Sequence, residues 1–446
     1  MLQNALRLEA AGLTRKAERE YRAIIEKAPR NATALMRLGL LLCARGAFDK
    51  AALLFKRAGL ADPRDLASRM NLAAALLRIG DEQGAVEAYR EAVVINPLYR
   101  DARLNLAYRL RGQRRLDEAR VHYQALVEHD PRDGLARWNL AALDGLEGDL
   151  DAAFAGFADP RTMRAAGQPK SLPRWAGEPL AGRRILLEAD QGLGDTLMFS
   201  RLAARVHAEG GQVILRAQPE LEGLLANLDG VALFAPRDRP PPNADLWIPL
   251  ADLPAVLGVE ASIAAAPDPY LAADPTRRMR WREWLKRPAP DCYRVGLVWA
   301  GGSAHPEDSL RSLPLAVLLE PLIAIEGVVW ISLQKGPPAA EAEGTALVRA
   351  DLDIADFEDT AALLAEIDLL ITVDTSILHL AGALGRPVWG LIAFVPDWRW
   401  MLERPDSPWH PSLRLFRQAR SGDWRDPTRE VATALRERLS EARAVP

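Results

Sequence analysis

Leu369-Leu370-Ile371-Thr372-Val373-Asp374-Thr375-Ser376-Ile377-Leu378-His379-Leu380-Ala381-Gly382-Ala383-Leu384-Gly385 begins as an apolar, β-branched run, turns at Asp-Thr-Ser, and continues as an apolar helical pattern. That is the order of a buried strand feeding a capped helix, and Gly385 stands where a helix C-cap belongs. The first N–H groups of such a helix lie at the C-terminal end of a parallel strand, where open α/β sheets bind phosphorylated ligands. The same residues also suit a capped core helix with a buried His379. The neighbouring segments have to discriminate between the two.

Strand–helix alternation continues on both sides. Tyr293–Trp299, Val328–Leu333, Leu347–Ala350, Leu369–Val373 and Pro387–Leu391 read as strands, and Thr428–Arg443 as a closing amphipathic helix. Upstream, Arg184–Glu188, Val213–Leu215 and Leu246–Ile248 read as strands, with helical stretches at Pro219–Asn227 and Leu253–Leu257. Between the two sets, Arg277–Arg287 reads as a charged helix followed by a Pro288–Pro290 hinge. Strands alternating with helices make parallel α/β sheets. We expect one Rossmann-like half over 183–290, a second over 291–446, and a Pro- and Gly-rich linker over 161–182.

The first 160 residues obey another rule. Pro29, Pro63, Pro97 and Pro131 recur every 34 residues, as do Ala17, Ala51, Ala85, Ala119 and Ala153. Four residues after each alanine come Tyr21, Phe55, Tyr89, Tyr123 and Phe157. The alanine lets two helices approach, the aromatic one turn later fills the groove beside it, and the proline ends the helix. This resembles the tetratricopeptide repeat in length and in its small–large–proline signature. The array runs down after Phe157, and an end of such an array needs a cap or a neighbouring domain, so we expect the last unit to pack on the domain C-terminal to it. Asn71, Asn105 and Asn139 keep the same period. In superhelical glycosyltransferases of this general plan an asparagine ladder holds the acceptor polypeptide; solvated helix polarity is the plainer reading.

Composition narrows the classes. A length of 446 residues suits roughly three domains. A formal charge of −3 gives no general pull toward nucleic acid or anionic membrane. Cys43 and Cys292 are far apart and form no disulfide or zinc pattern, which suits a reducing cytoplasm. No apolar run reaches the ~18 residues of a transmembrane helix.

The strand ends carry the chemistry. Gln191-Gly192-Leu193-Gly194-Asp195-Thr196 opens a helical pattern, with glycines for a tight backbone and Asp195 at the helix start, where aspartate also serves as a plain N-cap. Trp299-Ala300-Gly301-Gly302-Ser303-Ala304-His305 leads to Arg311. The Gly301-Gly302 turn invites a phosphate, and Arg311 suits forked phosphate contacts. His305 is either an acceptor-side hydrogen-bonder or a surface loop residue. Gln334-Lys335 ends another strand, and Lys335 either reaches a β-phosphate or leaving-group oxygen or stands solvated in its loop. Asp374 could hold a ribose or sugar hydroxyl, with Thr375 and Ser376 meeting phosphates at the helix N-terminus. Asp397 and Trp398 lie in a crowd of aromatic and polar residues that either stacks on a ligand or closes the sheet as a core lid. Asp351-Leu352-Asp353 reads as surface, Asp359 is a further candidate for the cleft, and no metal site is expected.

Asp374-Thr375-Ser376 with His379 resembles the donor-binding signature of heptosyltransferases, Asp-Thr-Gly-x-x-His-Leu-Ala. Ser376 replaces the usual glycine, which keeps a small residue but removes freedom for positive φ. Gly194-Asp195 resembles the same family, whose matching aspartate is the proposed base toward an acceptor hydroxyl. Gln334-Lys335 resembles the corresponding segment of protein O-linked N-acetylglucosaminyltransferases. Taken whole, the chain resembles bacterial proteins that join tetratricopeptide repeats to a family-9-like transferase. The resemblance implies an α + α/β chain: a tetratricopeptide solenoid over 1–160, then a GT-B fold with its acceptor side over 183–290 and its nucleotide-sugar donor side over 291–446. The implied activity is inverting, metal-independent glycosyl transfer from a nucleotide-diphosphate sugar, without a further cofactor. The acceptor would be Ser or Thr of a protein, such as a flagellar or surface protein, presented by the repeats. The alternatives are a lipid-linked or polysaccharide acceptor with the repeats as scaffold, or a non-catalytic scaffold.

Overall fold

A computed structural model describes residues 1–163, 172–264, 269–287, 292–302 and 307–444. It divides into two compact units, Met1–Leu140 and Ala141–Pro446.

The first unit is helical throughout. Helices α1 (Leu2–Ala10), α2 (Thr14–Lys27), α3 (Ala32–Cys43), α4 (Phe48–Ala61), α5 (Leu66–Arg78), α6 (Glu82–Ile95), α7 (Arg100–Gly112) and α8 (Leu116–His129) alternate with tight turns, and α9 (Gly134–Glu147) begins within it. The periodic alanines and aromatics are the packing residues. Ala17, Ala51, Ala85 and Ala119 have no exposed surface, and Tyr21, Phe55, Tyr89 and Tyr123 are buried with them. Gly39 shows how close the helices come: a Cβ there would lie 2.6 Å from the Phe55 ring. Pro29, Pro63, Pro97 and Pro131 sit in the turns.

The second unit holds two parallel sheets. In the first, β1 (Arg184–Glu188), β2 (Gln212–Ala217), β3 (Val231–Pro236) and β4 (Leu246–Pro249) are ordered β3-β2-β1-β4. In the second, β5 (Tyr293–Val298), β6 (Val328–Ser332), β7 (Leu369–Val373), β8 (Val388–Ile392) and β9 (Leu413–Arg417) are ordered β6-β5-β7-β8-β9. All neighbouring strands are parallel. Strand order reverses beside β1 and beside β5, and ligands of open sheets bind at the C-terminal strand ends near such reversals. The loops after β1, β5 and β7 are those that carry Asp195, Gly301 and Asp374.

Several expectations need correction. Leu347–Ala350 is not a strand: only Val348 bridges Ile331, and the chain turns away as Arg349 pairs with Asp351 at 2.7 Å. The expected linker is partly structural. Trp175 N–H donates to the Trp247 carbonyl at 2.9 Å, so residues 173–175 extend the edge beyond β4. The Pro288–Pro290 hinge and residues 164–171 lie outside the described residues.

The end of the repeats also moves. The second unit starts at Ala141, inside α9, and includes α10 (Leu150–Ala158). Phe154 and Phe157, the last repeat's aromatics, meet Trp398 at ring distances of 5.3 and 5.0 Å, and Phe154 also meets Phe199 at 5.9 Å and Trp409 at 5.9 Å. Helix α10 thus buries its face on the α/β region.

Candidate active site

The strand-end loops of the two halves line one cleft of about 750 Å³. From the first half come Gly192, Leu193, Gly194, Asp195 and Glu220. From the second come the loops after β5, β6, β7 and β8, bringing Gly301, Gly302, Arg311, Gln334, Lys335, Asp374, Thr375, Ser376, His379, Asp397, Arg399 and Trp400.

Asp195 occupies the third position of α11 (Leu193–Ser200), and its Oδ2 accepts the Gly192 N–H at 3.1 Å. Gly192, not Asp195, is therefore the N-cap, and Asp195 reaches back from inside the helix to the cap's N–H. Its Oδ1 pairs with Arg399, which comes from the other half of the cleft. Arg399 also donates to Asp397 Oδ1 at 2.6 Å and to Gln191 Oε1 at 2.9 Å. Its guanidinium lies over the Trp398 ring at 4.5 Å and is almost wholly buried. Burial deep in the cleft pushes the Asp195 carboxyl above its ordinary range; Arg399 opposes the shift and Asp397 adds to it.

Gly192 and Gly194 have no positive φ, so a tight backbone is not their reason for being there. At Gly194 the reason is space: a Cβ would lie 2.7 Å from His379 Cδ2. His379 is 4% exposed, stacks on Trp400 at 5.2 Å and 27°, and places Nδ1 3.1 Å from His410 Nε2. The two readings of this histidine are therefore not exclusive. It is packed like a core residue and still lines the cleft.

β7 ends at Val373, and the helix Ser376–Ala383 starts three residues on, with Thr375 as its N-cap. Ser376 has ordinary negative-φ backbone, so the serine strains nothing. Burial and the neighbouring Asp397 raise the Asp374 carboxyl to about 6, against the opposing pull of Trp400, Arg311 and Arg399. Burial and the nearby Arg399 charge hold His379 down at about 3, so its ring is neutral near pH 7.

Two expected donor contacts have other occupations. Gln334 Oε1 accepts from Trp299 N–H and Ala300 N–H, both at 2.9 Å, while Nε2 donates to the carbonyls of Ala300 and Lys335 at 3.1 and 2.9 Å. Its amide is consumed in tying two strand-end loops together. Lys335 Nζ donates to the carbonyls of Asp351 and Ile354 at 2.7 and 2.9 Å, which uses two of its three donors. Arg311 pairs with Asp308 at 3.3 Å beside Gly301.

Trp398 does not face the cleft as expected; its ring is buried against Phe154, Phe157 and Trp409. Trp400 lines the cleft instead. Met401 comes next at φ 50°, a setting that costs a non-glycine residue about 1–3 kcal/mol and recurs at functional turns. Asp359 does not face the cleft either, since its buried carboxylate is held by Arg280 at 2.6 Å and Arg277 at 2.9 Å. His305 lies outside the described residues. Among the described residues no group of three or more His, Cys, Asp and Glu is disposed to hold a metal ion.

On the repeats, the amides of Asn71, Asn105 and Asn139 repeat one conformation. Each Nδ2 donates to the carbonyl four residues back, on Ala67, Asp101 and Leu135, at 2.8–2.9 Å. One N–H of each amide is thus engaged within its own helix, and Asn71 Nδ2 also reaches Met36 Sδ on α3 at 3.6 Å.

Sequence reading alone does not place Arg399, Trp400 or His410 in the site. The signal for them was the polar and aromatic crowding of 394–400 and 407–411, which does not say which side chain turns inward.

Residues 2–62 and 58–100 match the tetratricopeptide repeat family, and residues 348–424 match glycosyltransferase family 9 (heptosyltransferase). The second match spans Asp374, His379, Arg399 and His410. Protein FlbA of Caulobacter vibrioides is 27% identical over 503 aligned positions, covering 97% of this chain and 83% of FlbA. Among solved structures, MamA is 22% identical over 34% of this chain and 90% of its own, with a TM-score of 0.32. YrrB, described as a TPR protein with an unusual peptide-binding site, is 22% identical over 34% of this chain and 79% of its own, with a TM-score of 0.31. The chain joins tetratricopeptide repeats to a heptosyltransferase-like region, and glycosyl transfer is the class of activity this supports. No helix among the described residues is long and apolar enough to cross a membrane.

Proposed function

We propose that the protein is an inverting, metal-independent glycosyltransferase that moves a sugar from a nucleotide-diphosphate donor to an acceptor hydroxyl. The observation that carries this reading is a single cleft with Asp195 on one wall and Asp374, Thr375, Ser376 and Arg311 on the other. The donor diphosphate would meet the N–H groups that open the helix Ser376–Ala383, with Arg311 supplying positive charge and Lys335 its remaining donor. Asp374 would hold a hydroxyl of the donor.

Asp195 would take the proton of the acceptor hydroxyl as its oxygen attacks the anomeric carbon and the nucleoside diphosphate leaves from the opposite face. Both Asp195 oxygens already accept one bond, yet each keeps a second lone pair for the hydroxyl. Arg399 would hold the carboxylate ionised and aimed. We further propose that the acceptor is Ser or Thr of a polypeptide bound along the repeats at Asn71, Asn105 and Asn139. Binding energy from that remote contact would orient the hydroxyl.

A thermal-shift panel of nucleoside diphosphates tests the donor half. One nucleotide should protect the wild type and fail to protect D374A; no shift with any of them overturns the reading. D195N should lose at least 100-fold in transfer while binding that nucleotide normally. Replacing the three asparagines together should weaken transfer to protein and spare slow donor hydrolysis; an equal fall in both makes them structural.

A further inference from the structure

The proposed reaction leaves one buried pair unused. His410 is 1% exposed, its Nε2 faces His379 Nδ1 at 3.1 Å, and its own Nδ1 is buried without a hydrogen-bond partner. Gly382 presses on that nitrogen, since a Cβ there would lie 2.4 Å from it. Burial keeps both rings neutral; Arg399 and Arg201 oppose protonation of His379 and Asp397 favours it, while His379 and Arg201 oppose it at His410. A neutral imidazole has one N–H and one bare nitrogen, and one proton lies between the two rings. Were His379 the donor, His410 would carry its proton on Nδ1, a buried N–H facing glycine with nothing to accept it. With His410 donating from Nε2, the bare nitrogen takes that dry position. Among backbone groups, orphaned buried N–H donors are rarer than under-satisfied carbonyls, and we take the same preference to hold at this dry imidazole edge. His379 then accepts at Nδ1 and must carry its own proton on Nε2, on the edge that faces Gly194. Trp400, stacked on the ring, fixes its plane.

We propose that His410 is a positioning residue that locks His379 as the Nε2–H tautomer, so that the cleft offers a permanent neutral N–H donor to an oxygen of the bound substrate. The substrate's part in this rests on the glycosyl-transfer reading, and the tautomer does not. The test is long-range 1H–15N correlation on the full-length protein labelled with 15N-histidine, which has six histidines to resolve. One ring, absent in H379Q, should show a protonated Nε2 and a bare Nδ1 with no titration between pH 6 and 8 (about one unit either side of neutrality, where an ordinary histidine does titrate). H410Q, whose amide can stand in for the Nε2 donor, should preserve that signature, and H410L should convert it to a mixture of tautomers. A His379 protonated on Nδ1, titrating in that range, or unchanged in H410L overturns the proposal. Should H410L not fold, the wild-type and H410Q spectra decide it. Failure of the proposed function would appear separately, as a wild type that cleaves no nucleotide sugar while its tautomer is intact.

Discussion

One guanidinium, that of Arg399, lies among the carboxylates of Asp195, Asp397 and Asp374. Burial of Asp374, with the neighbouring Asp397 adding to it, outweighs the pull of Trp400, Arg311 and Arg399, and Asp374 holds its proton up to about pH 6. A carboxyl whose folded pKa is raised binds more protons folded than unfolded. Its contribution to stability is lost as pH rises from about 4 to about 6. D374N should then be more stable than the wild type at pH 7.5, by about 1–3 kcal/mol, with the gap closing toward pH 4.5 in urea titrations; a gap independent of pH refutes the assignment. The histidine pair acts in the opposite sense. His379, held near 3, binds fewer protons folded than unfolded, so it removes stability as pH falls below about 6.5. Arg399 itself is the group the site can least lose. R399L would leave the half-buried carboxylates of Asp195 and Asp397 without their cation and should destabilise by about 1–3 kcal/mol, read from the same titrations. R399K, which keeps the charge without the fork, should recover only part.

The helix Ser376–Ala383 is seated by its glycines. Gly385, at φ 62°, closes its C-terminus in the left-handed region, as its place in the sequence suggested. Gly382 has a reason no sequence reading supplies: a Cβ there would lie 2.3 Å from His410 Cγ, between a helix and a buried ring with nowhere to move. G382A should destabilise by about 2 kcal/mol and abolish protection by nucleotide; a normal melting temperature refutes the packing argument. The contrast marks what could be read from the chain. β1, β5, β7 and β8 are parallel strands covered on both faces, and such strands appear as unbroken apolar runs. β3 and β9 are edge strands. Leu233 in β3 is 43% exposed and Pro236 ends it, while Arg414 interrupts the apolar positions of β9, so neither looks like a core strand in sequence. The site divides the same way. Asp374 is legible because it follows its strand directly, and Asp195 because it opens the helix in the loop after its own. Arg399 and His410 act through partners 208 and 31 residues away, Gln191 and His379, and only folding brings those together.

At the scale of the whole chain, the last helical hairpin belongs to the α/β region, contrary to a boundary at residue 160. Trp398 links the two: it is 4% exposed, its ring meets Phe154, Phe157 and Trp409, and Gly145 lies close enough that a Cβ would touch it at 3.0 Å. W398A should cost about 3–5 kcal/mol, and a fragment starting at 161 should bare Phe199, Trp398 and Trp409 and aggregate, whereas one starting near Ala141 should stay monodisperse in size-exclusion chromatography. The aromatic seat under α10 also constrains how such a chain can diversify. Whole 34-residue units ahead of Leu140 repeat one packing rule, so duplication or loss there leaves every contact of α10 as it was. The final unit has surrendered that freedom, because its outward face is shaped to particular rings of the α/β region. Repeat number can therefore change ahead of the hairpin without disturbing that aromatic seat, whereas the hairpin itself is tied to the α/β region.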